Sequence, residues 1–235
     1  MIRYGGASKI GQTHIKNNIP NQDYFRIHRS KKRKKELILV VADGVGSHKY
    51  SQIGARAIAN AVTTNAHLLY NVSNKKKFIK KTMKVFMKNI HPYKKDECGT
   101  TCIFSVIFKD RICLGQIGDG ICCYKINDKF HILSDKDSDF LNETVSVTSR
   151  KSIDKWHFKS YNNPTCFQIM MATDGVADDL VPNMREIFLQ RLNDSTRGGN
   201  HKEISELILK LFDNWERPLS HDDKTMILCF KEKDI

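Results

Sequence analysis

Apolar residues fall into short, nearly unbroken blocks separated by polar turns. "ELILVVA" ending at Ala42, "TTCIFSVIF" ending at Phe108, "CFQIMMA" ending at Ala172 and "MILCF" ending at Phe230 are too apolar for half-exposed edges. They fit strands covered on both faces. Reading the whole chain this way predicts strands at 2–8, 22–29, 36–42, 100–109, 111–118, 120–126, 129–133, 155–160, 166–173 and 225–231. Long helices fit 49–70, 75–90, 183–193 and 201–215. Two helices fall between early and middle strands, and two precede the last strand. Strands arrive in hairpin-like runs instead of alternating strictly with helices. The expected class is therefore α+β, with antiparallel sheets packed against helix pairs. "GGN" at 198–200 separates the last two helices as a C-cap and loop would.

Composition adds limits. The 235 residues suit one large domain or two small ones, with a sizeable core; no Pro/Gly-rich linker or repeat divides them, so a single domain, 1–235, is expected. No stretch of 18 apolar residues and no secretory leader is visible, so a soluble, cytoplasmic chain without membrane contact is expected. Seven cysteines (98, 102, 113, 122, 123, 166, 229) lie mostly inside apolar runs, with no C-x-x-C pair. They read as reduced core residues, Cys122 and Cys123 pointing to opposite faces of a strand. Trp156 and the Met170–Met171 pair also read as core.

The net charge of +13 raises the question of nucleic acid or an acidic membrane surface. Much of the excess is local, in "RSKKRKKE" at 29–36 and "NKKKFIKK" at 74–81. The first reads as a hairpin loop, the second as the start of a helix. Neither interleaves lysine with aromatics as single-strand binders do, so both read as solvated surfaces and no nucleic-acid partner is expected.

Candidate chemistry sits where the apolar strands stop. "VVADGVGS" drives a buried strand into Asp43, followed by Gly44 and Gly46. Taken alone, Asp-Gly is also a common turn pair. The device recurs, however. Asp174-Gly175 ends another apolar strand with Asp178 four residues on, Asp119 stands between two glycines, Asp222 and Asp223 precede the last strand, and Asp23 opens an early one. Gathered carboxylates repel and resist ionisation unless a cation neutralises them. An all-oxygen set without matching His or Cys selects a hard cation, Mg²⁺ or Mn²⁺.

In order, "NQD", "VADGVGS", "GTT", "IGDG", "ATDGVAD" and "DDKTMI" resemble the PPM family of metal-dependent serine/threonine protein phosphatases, the type 2C phosphatases. "GASKIGQTHIKNNIPNQDYF" and "NETVSVTS" look most like a compact bacterial branch. The resemblance spans nearly the whole chain and implies a four-layer α-β-β-α sandwich. It also implies a two-metal centre of Mn²⁺ or Mg²⁺, with a third, weaker site. By that resemblance Asp43 bridges two metals, Gly44 offers its carbonyl, and Asp174 and Asp222 complete the pair of sites. Asp23 holds metal-bound water, and Asp119 and Asp178 join Asp174 at the third site. The family's Asp-Asn-x-Thr reads here as Asp222-Asp223-Lys224-Thr225, placing Asp223 in the Asn position.

The implied chemistry needs no protein nucleophile. Two divalent ions roughly 3.5–4 Å apart can share a water, lower its pKa and neutralise phosphoryl charge. Two departures stand out. Many relatives carry a phosphate-clamping Arg before the Gln-Asp pair, whereas here Lys16 and His14 are the only cations between Ile10 and Gln22. Some relatives have a His directly after Asp-Gly; here Val45 is present and His48 follows three residues later. The implied partners are a phosphoprotein substrate and a serine/threonine kinase, with the chain acting as a monomer. Two other readings stay open: a pseudophosphatase that docks a kinase or phosphoprotein, motivated by the missing Arg, and a metal-dependent nuclease, motivated by charge.

Overall fold

The fold is seen in a computed structural model that describes residues 1–30, 36–133, 145–150, 152–215 and 219–233. Among the described residues, ten strands form two antiparallel sheets of five. The first holds β1 (Ile2–Lys9), β10 (Lys224–Lys231), β9 (Phe167–Ala172), β6 (Ile121–Ile126) and β7 (Lys129–Ile132), in that spatial order. The second holds β2 (Tyr24–Arg29), β3 (Leu37–Ala42), β4 (Cys102–Ile107), β5 (Arg111–Ile117) and β8 (His157–Asn162). Helices α2 (Ser51–Asn65) and α3 (Lys75–Ile90) cover the second sheet; α5 (Arg185–Ser195) and α6 (His201–Asp213) cover the first. Two short helices, α1 (Gln12–Lys16) and α4 (Asp174–Ala177), had no counterpart in the periodicity.

The unbroken apolar runs follow from this layering. In β3, Leu37, Leu39 and Val41 face the seam between the sheets, while Ile38, Val40 and Ala42 face the helices. Period-two alternation thus places every residue of the strand in one of two apolar seams. In β10, Ile227 and Cys229 point between the sheets, and Met226, Leu228 and Phe230 point towards α5 and α6. Cys122 and Cys123 face opposite layers, Trp156 and both methionines are buried, and all seven cysteines are free.

The loops follow local rules. Ser30 N–H donates to Glu36 O at 2.9 Å, closing the β2–β3 hairpin around the basic run, whose residues 31–35 lie outside the described set. Helix α6 starts in a capping box: the Asn200 side chain accepts from Lys202 and Glu203 N–H, and Glu203 accepts from Asn200 N–H. The first three residues of "NETVSVTS", 142–144, also lie outside the described residues. Among the described residues, no helix is long and apolar enough to cross a membrane.

Candidate metal centre

Strands from both sheets end at one acidic cavity of about 90 Å³, lined by Asp43, Gly44, Val45, Gly46, Thr101, Asp119, Asp174 and Asp222. Asp43 follows β3, Asp119 lies in the β5–β6 turn, Asp174 opens α4 after β9, and Asp222 precedes β10. One carboxylate oxygen from each of Asp43, Asp119 and Asp174 lies within 4.8 Å of the other two. Two turns depend on glycine. A Cβ on Gly44 would sit 2.7 Å from Ser51 Cβ and 2.9 Å from Gln22 O, so α2 can start beside Asp43 only if no side chain intervenes. Gly118 adopts φ +102°, turning β5 back so that Asp119 projects at the tip.

The backbone around Asp43 is held by the "GTT" run. Asp43 O accepts from Thr101 N–H at 2.7 Å and from the Thr100 hydroxyl at 2.7 Å, while Asp43 N–H donates to Thr101 Oγ1 at 3.1 Å. Asp23 is buried and accepts from the Thr173 hydroxyl at 2.8 Å. Asp178 sits one turn beyond Asp174, its N–H donating to Asp174 O at 2.9 Å, and its side chain is exposed.

Crowding and burial resist ionisation of Asp43, Asp23 and Asp174. Burial, then Asp23, Asp174 and Asp119, hold the Asp43 carboxyl well above the usual carboxylate range. Asp23 is pushed up to about 8, chiefly by burial and then by Asp223, with Thr225 and Thr173 opposing the rise. Asp174 is raised to about 6, first by burial and then by Asp119, Asp222 and Asp178, with a hydrogen bond from Asp43 opposing. That Asp43–Asp174 hydrogen bond requires a proton on one of the two carboxyls. A divalent cation would replace the proton and satisfy the oxygens together, so the donor set fits Mg²⁺ or Mn²⁺.

The cationic candidates sit differently. His14 on α1 is buried, with Nδ1 at 2.9 Å from Asp223 Oδ2 and Nε2 at 3.7 Å from Asp222 Oδ1. The first distance is that of an ion pair, though the ring N–H is not aligned as a hydrogen bond. Lys16, in the last turn of α1, is exposed. His48 accepts from Gly99 N–H through Nδ1 at 2.9 Å, which places its own ring proton on Nε2.

Asp223 has a structural role that the sequence did not disclose. It is 2% exposed and accepts from Gly11 N–H at 2.7 Å and Gln22 N–H at 2.6 Å, tying the segment before β2 to the start of β10. The anchoring roles of Thr101 and Thr173 were likewise missed. "GTT" and "ATDG" marked their positions but not their partners. A larger cleft, about 470 Å³, lies between β2 and helices α2 and α3 and is lined by Arg26, His28, Glu36 and His67. Among the described residues it contains no comparable carboxylate cluster.

Two five-stranded antiparallel sheets between helix pairs, with carboxylates gathered where the strands end, define the class: a four-layer α-β-β-α sandwich with an oxygen-lined site suited to divalent cations. The protein phosphatase 2C family model matches residues 10–209, and the chain belongs to that family of metal-dependent serine/threonine protein phosphatases, which use Mn²⁺ or Mg²⁺. No curated protein matches the chain by sequence. Solved structures agree in fold. The catalytic domain of the serine/threonine phosphatase PstP, crystallised with two manganese ions, is 15% identical with a TM-score of 0.66, over 98% of this chain and 99% of that one. A serine/threonine phosphatase from S. agalactiae is 16% identical with a TM-score of 0.69, over 99% and 100%. Stp1 from Staphylococcus aureus is 17% identical with a TM-score of 0.64, over 99% and 96%.

Proposed function

We propose that this chain, working as one domain, hydrolyses phosphoserine and phosphothreonine in proteins at the cavity of Asp43, Asp119, Asp174 and Asp222. The observation that carries this reading is the convergence of Asp43, Asp119 and Asp174 within 4.8 Å, in a pocket where Asp43 and Asp174 resist ionisation. Asp43, Asp174, Asp222 and the Gly44 carbonyl would hold two Mn²⁺ or Mg²⁺ ions, with Asp119 and Asp178 beside Asp174 for a third. When bound, such ions supply charge neutralisation and acidify a water for attack on phosphorus.

The chain's own groups orient and transfer. Asp23, held by the Thr173 hydroxyl, offers a buried acceptor for a water proton. The Thr100 and Thr101 bonds fix the turn that carries Asp43 and Gly44. His48, with its proton on Nε2, can donate to the leaving oxygen. His14 is engaged with Asp222 and Asp223, which leaves the exposed Lys16 as the readier cation for phosphate capture in place of Arg. Reduced, free cysteines support a cytoplasmic setting, where the enzyme would reverse the work of a serine/threonine kinase.

Phosphate release from a phosphothreonine peptide and from p-nitrophenyl phosphate, each with added Mn²⁺ and beside a plasmid-nicking control, tests the reading. Metal-dependent turnover of both substrates with intact plasmid is expected. Nicking without phosphatase turnover would move the chain to the nuclease class. Kinase binding without turnover would make it a pseudophosphatase.

A further inference from the structure

Helix α3, "KKKFIKKTMKVFMKNI", carries seven lysines and no acidic residue in 16 positions. Phe78, Ile79, Thr82, Phe86 and Ile90 are buried against the rest of the second-sheet layer. Lys75 turns inward over the Phe158 ring at 5.5 Å. The other six lysines, Lys76, Lys77, Lys80, Lys81, Lys84 and Lys88, are all exposed. At 100° per residue they fall within an arc of about 140°, along a helix about 24 Å long. Among the described residues, none of the six lies within 4.0 Å of a carboxylate in an ion pair.

This arrangement works against the helix. Lys76–Lys80, Lys77–Lys81, Lys80–Lys84 and Lys84–Lys88 are like-charge i,i+4 pairs, each unfavourable. Lys75, Lys76 and Lys77 crowd the N-terminal turn, where the backbone dipole disfavours cations. A helix needing only a solvated face could intersperse glutamates, so a face this uncompensated points to a polyanionic partner.

The composition of the face selects among polyanions. It has no Arg for bidentate phosphate contacts and no aromatic for stacking on bases; Met87 is its one exposed apolar residue. The apolar side of α3 is already used in the core, leaving none to enter a bilayer. Lysine ammoniums on flexible stems suit the carboxylates of an irregular chain. The C-terminal end of α3 also leads, through residues 91–99, into Gly99, which binds His48, and Thr101, which binds Asp43. The lysine row is thus continuous in the chain with the rim of the metal centre.

We propose that the exposed face of α3 docks an acidic segment of the phosphoprotein substrate, so that the preferred substrates carry a Glu/Asp-rich tract beside the phosphorylated residue. The proposal rests on the phosphatase reading above for its consequence in turnover, but the docking itself is measurable without turnover. The test uses the whole protein and a variant with Lys76, Lys80, Lys84 and Lys88 each changed to Gln, which relieves repulsion and keeps good helix formers. Two phosphothreonine peptides are compared, one with a flanking tract of glutamates and one with glutamines in their place. Binding is followed by fluorescence anisotropy, and turnover with Mn²⁺.

For wild type at low salt, kcat/KM should favour the acidic peptide by about tenfold, through KM, as several weak surface pairs would give. The variant and 0.5 M NaCl should each erase the preference, and p-nitrophenyl phosphate turnover should not change. If no substrate turns over, the phosphatase reading fails, yet tighter anisotropy binding of the acidic peptide to wild type than to the variant would still support docking. Equal binding of the two peptides, or a preference that survives in the variant, overturns the proposal. So does binding of duplex DNA or anionic phosphatidylserine vesicles through these lysines in the absence of acidic-peptide binding.

Discussion

Replacing Asp174 by Asn should make the metal-free protein more stable and the metal-loaded protein less so. Asp174 is raised to about 6, with burial the first cause and Asp119, Asp222 and Asp178 behind it. A carboxyl whose folded pKa exceeds its unfolded value binds its proton more tightly in the native state. It therefore costs nothing well below pH 4, costs progressively more as pH rises towards 6, and costs its full amount above that. A rise from 3.8 to about 6 corresponds to about 3 kcal/mol, reduced to about 2 kcal/mol by solvent screening at the cavity mouth. Asn has the same shape and no charge. In EDTA at pH 7.5, Asp174→Asn should thus melt about 4–8 °C higher than wild type, with the gain shrinking as pH falls to 4. In millimolar Mn²⁺ the order should invert, because cation binding to the native state stabilises wild type by mass action and the variant has lost a ligand. Differential scanning fluorimetry across pH, with and without Mn²⁺, reads both effects. A variant that melts below wild type in EDTA at pH 7.5, or that gains as much as wild type from Mn²⁺, would refute the reasoning.

Other consequences follow from the same contacts. Exhaustive chelation should abolish turnover and added Mn²⁺ should restore it, measured by phosphate release; full activity in EDTA would contradict an oxygen-ligated centre. Asp223→Ala should destabilise the fold by about 2–4 kcal/mol in urea melts, because Gly11 and Gln22 N–H lose their acceptor. Asp223→Asn, which keeps one acceptor, should cost less. Lys16→Ala should raise KM about ten- to a hundredfold with little change in kcat, the loss of one charge-assisted hydrogen bond; an unchanged KM would place phosphate capture elsewhere.

The fold was legible because burial on both faces leaves an unmistakable pattern. A six-residue strand such as β3, with every position at an apolar seam, reads directly from the sequence. The four long helices were legible from length. Helices α1 and α4 were not, since five and four residues are too few to establish a period of 3.6. Strand ends bearing aspartate were visible singly, but their meeting was visible only through the order of motifs. The environments of His14 and Asp223 were the least accessible. Gly11 and Asp223 are separated by 212 positions, and only the pairing of β1 with β10 brings them together. His14 therefore read as a phosphate candidate from its place near a Gln-Asp pair, and its neighbours in space, Asp222 and Asp223, were not visible in the sequence.

Steady-state release of phosphate from a phosphothreonine peptide, by wild type and Asp43→Asn side by side, addresses the metal centre most directly. Both proteins are stripped with EDTA, checked for fold by circular dichroism, and assayed over a Mn²⁺ titration. Wild type should turn over only as Mn²⁺ is added. Asp43→Asn should stay folded and lose at least about 3 kcal/mol of transition-state stabilisation, more than a hundredfold in kcat/KM. A folded Asp43→Asn protein with wild-type turnover would contradict the assignment of this cavity as the site of hydrolysis.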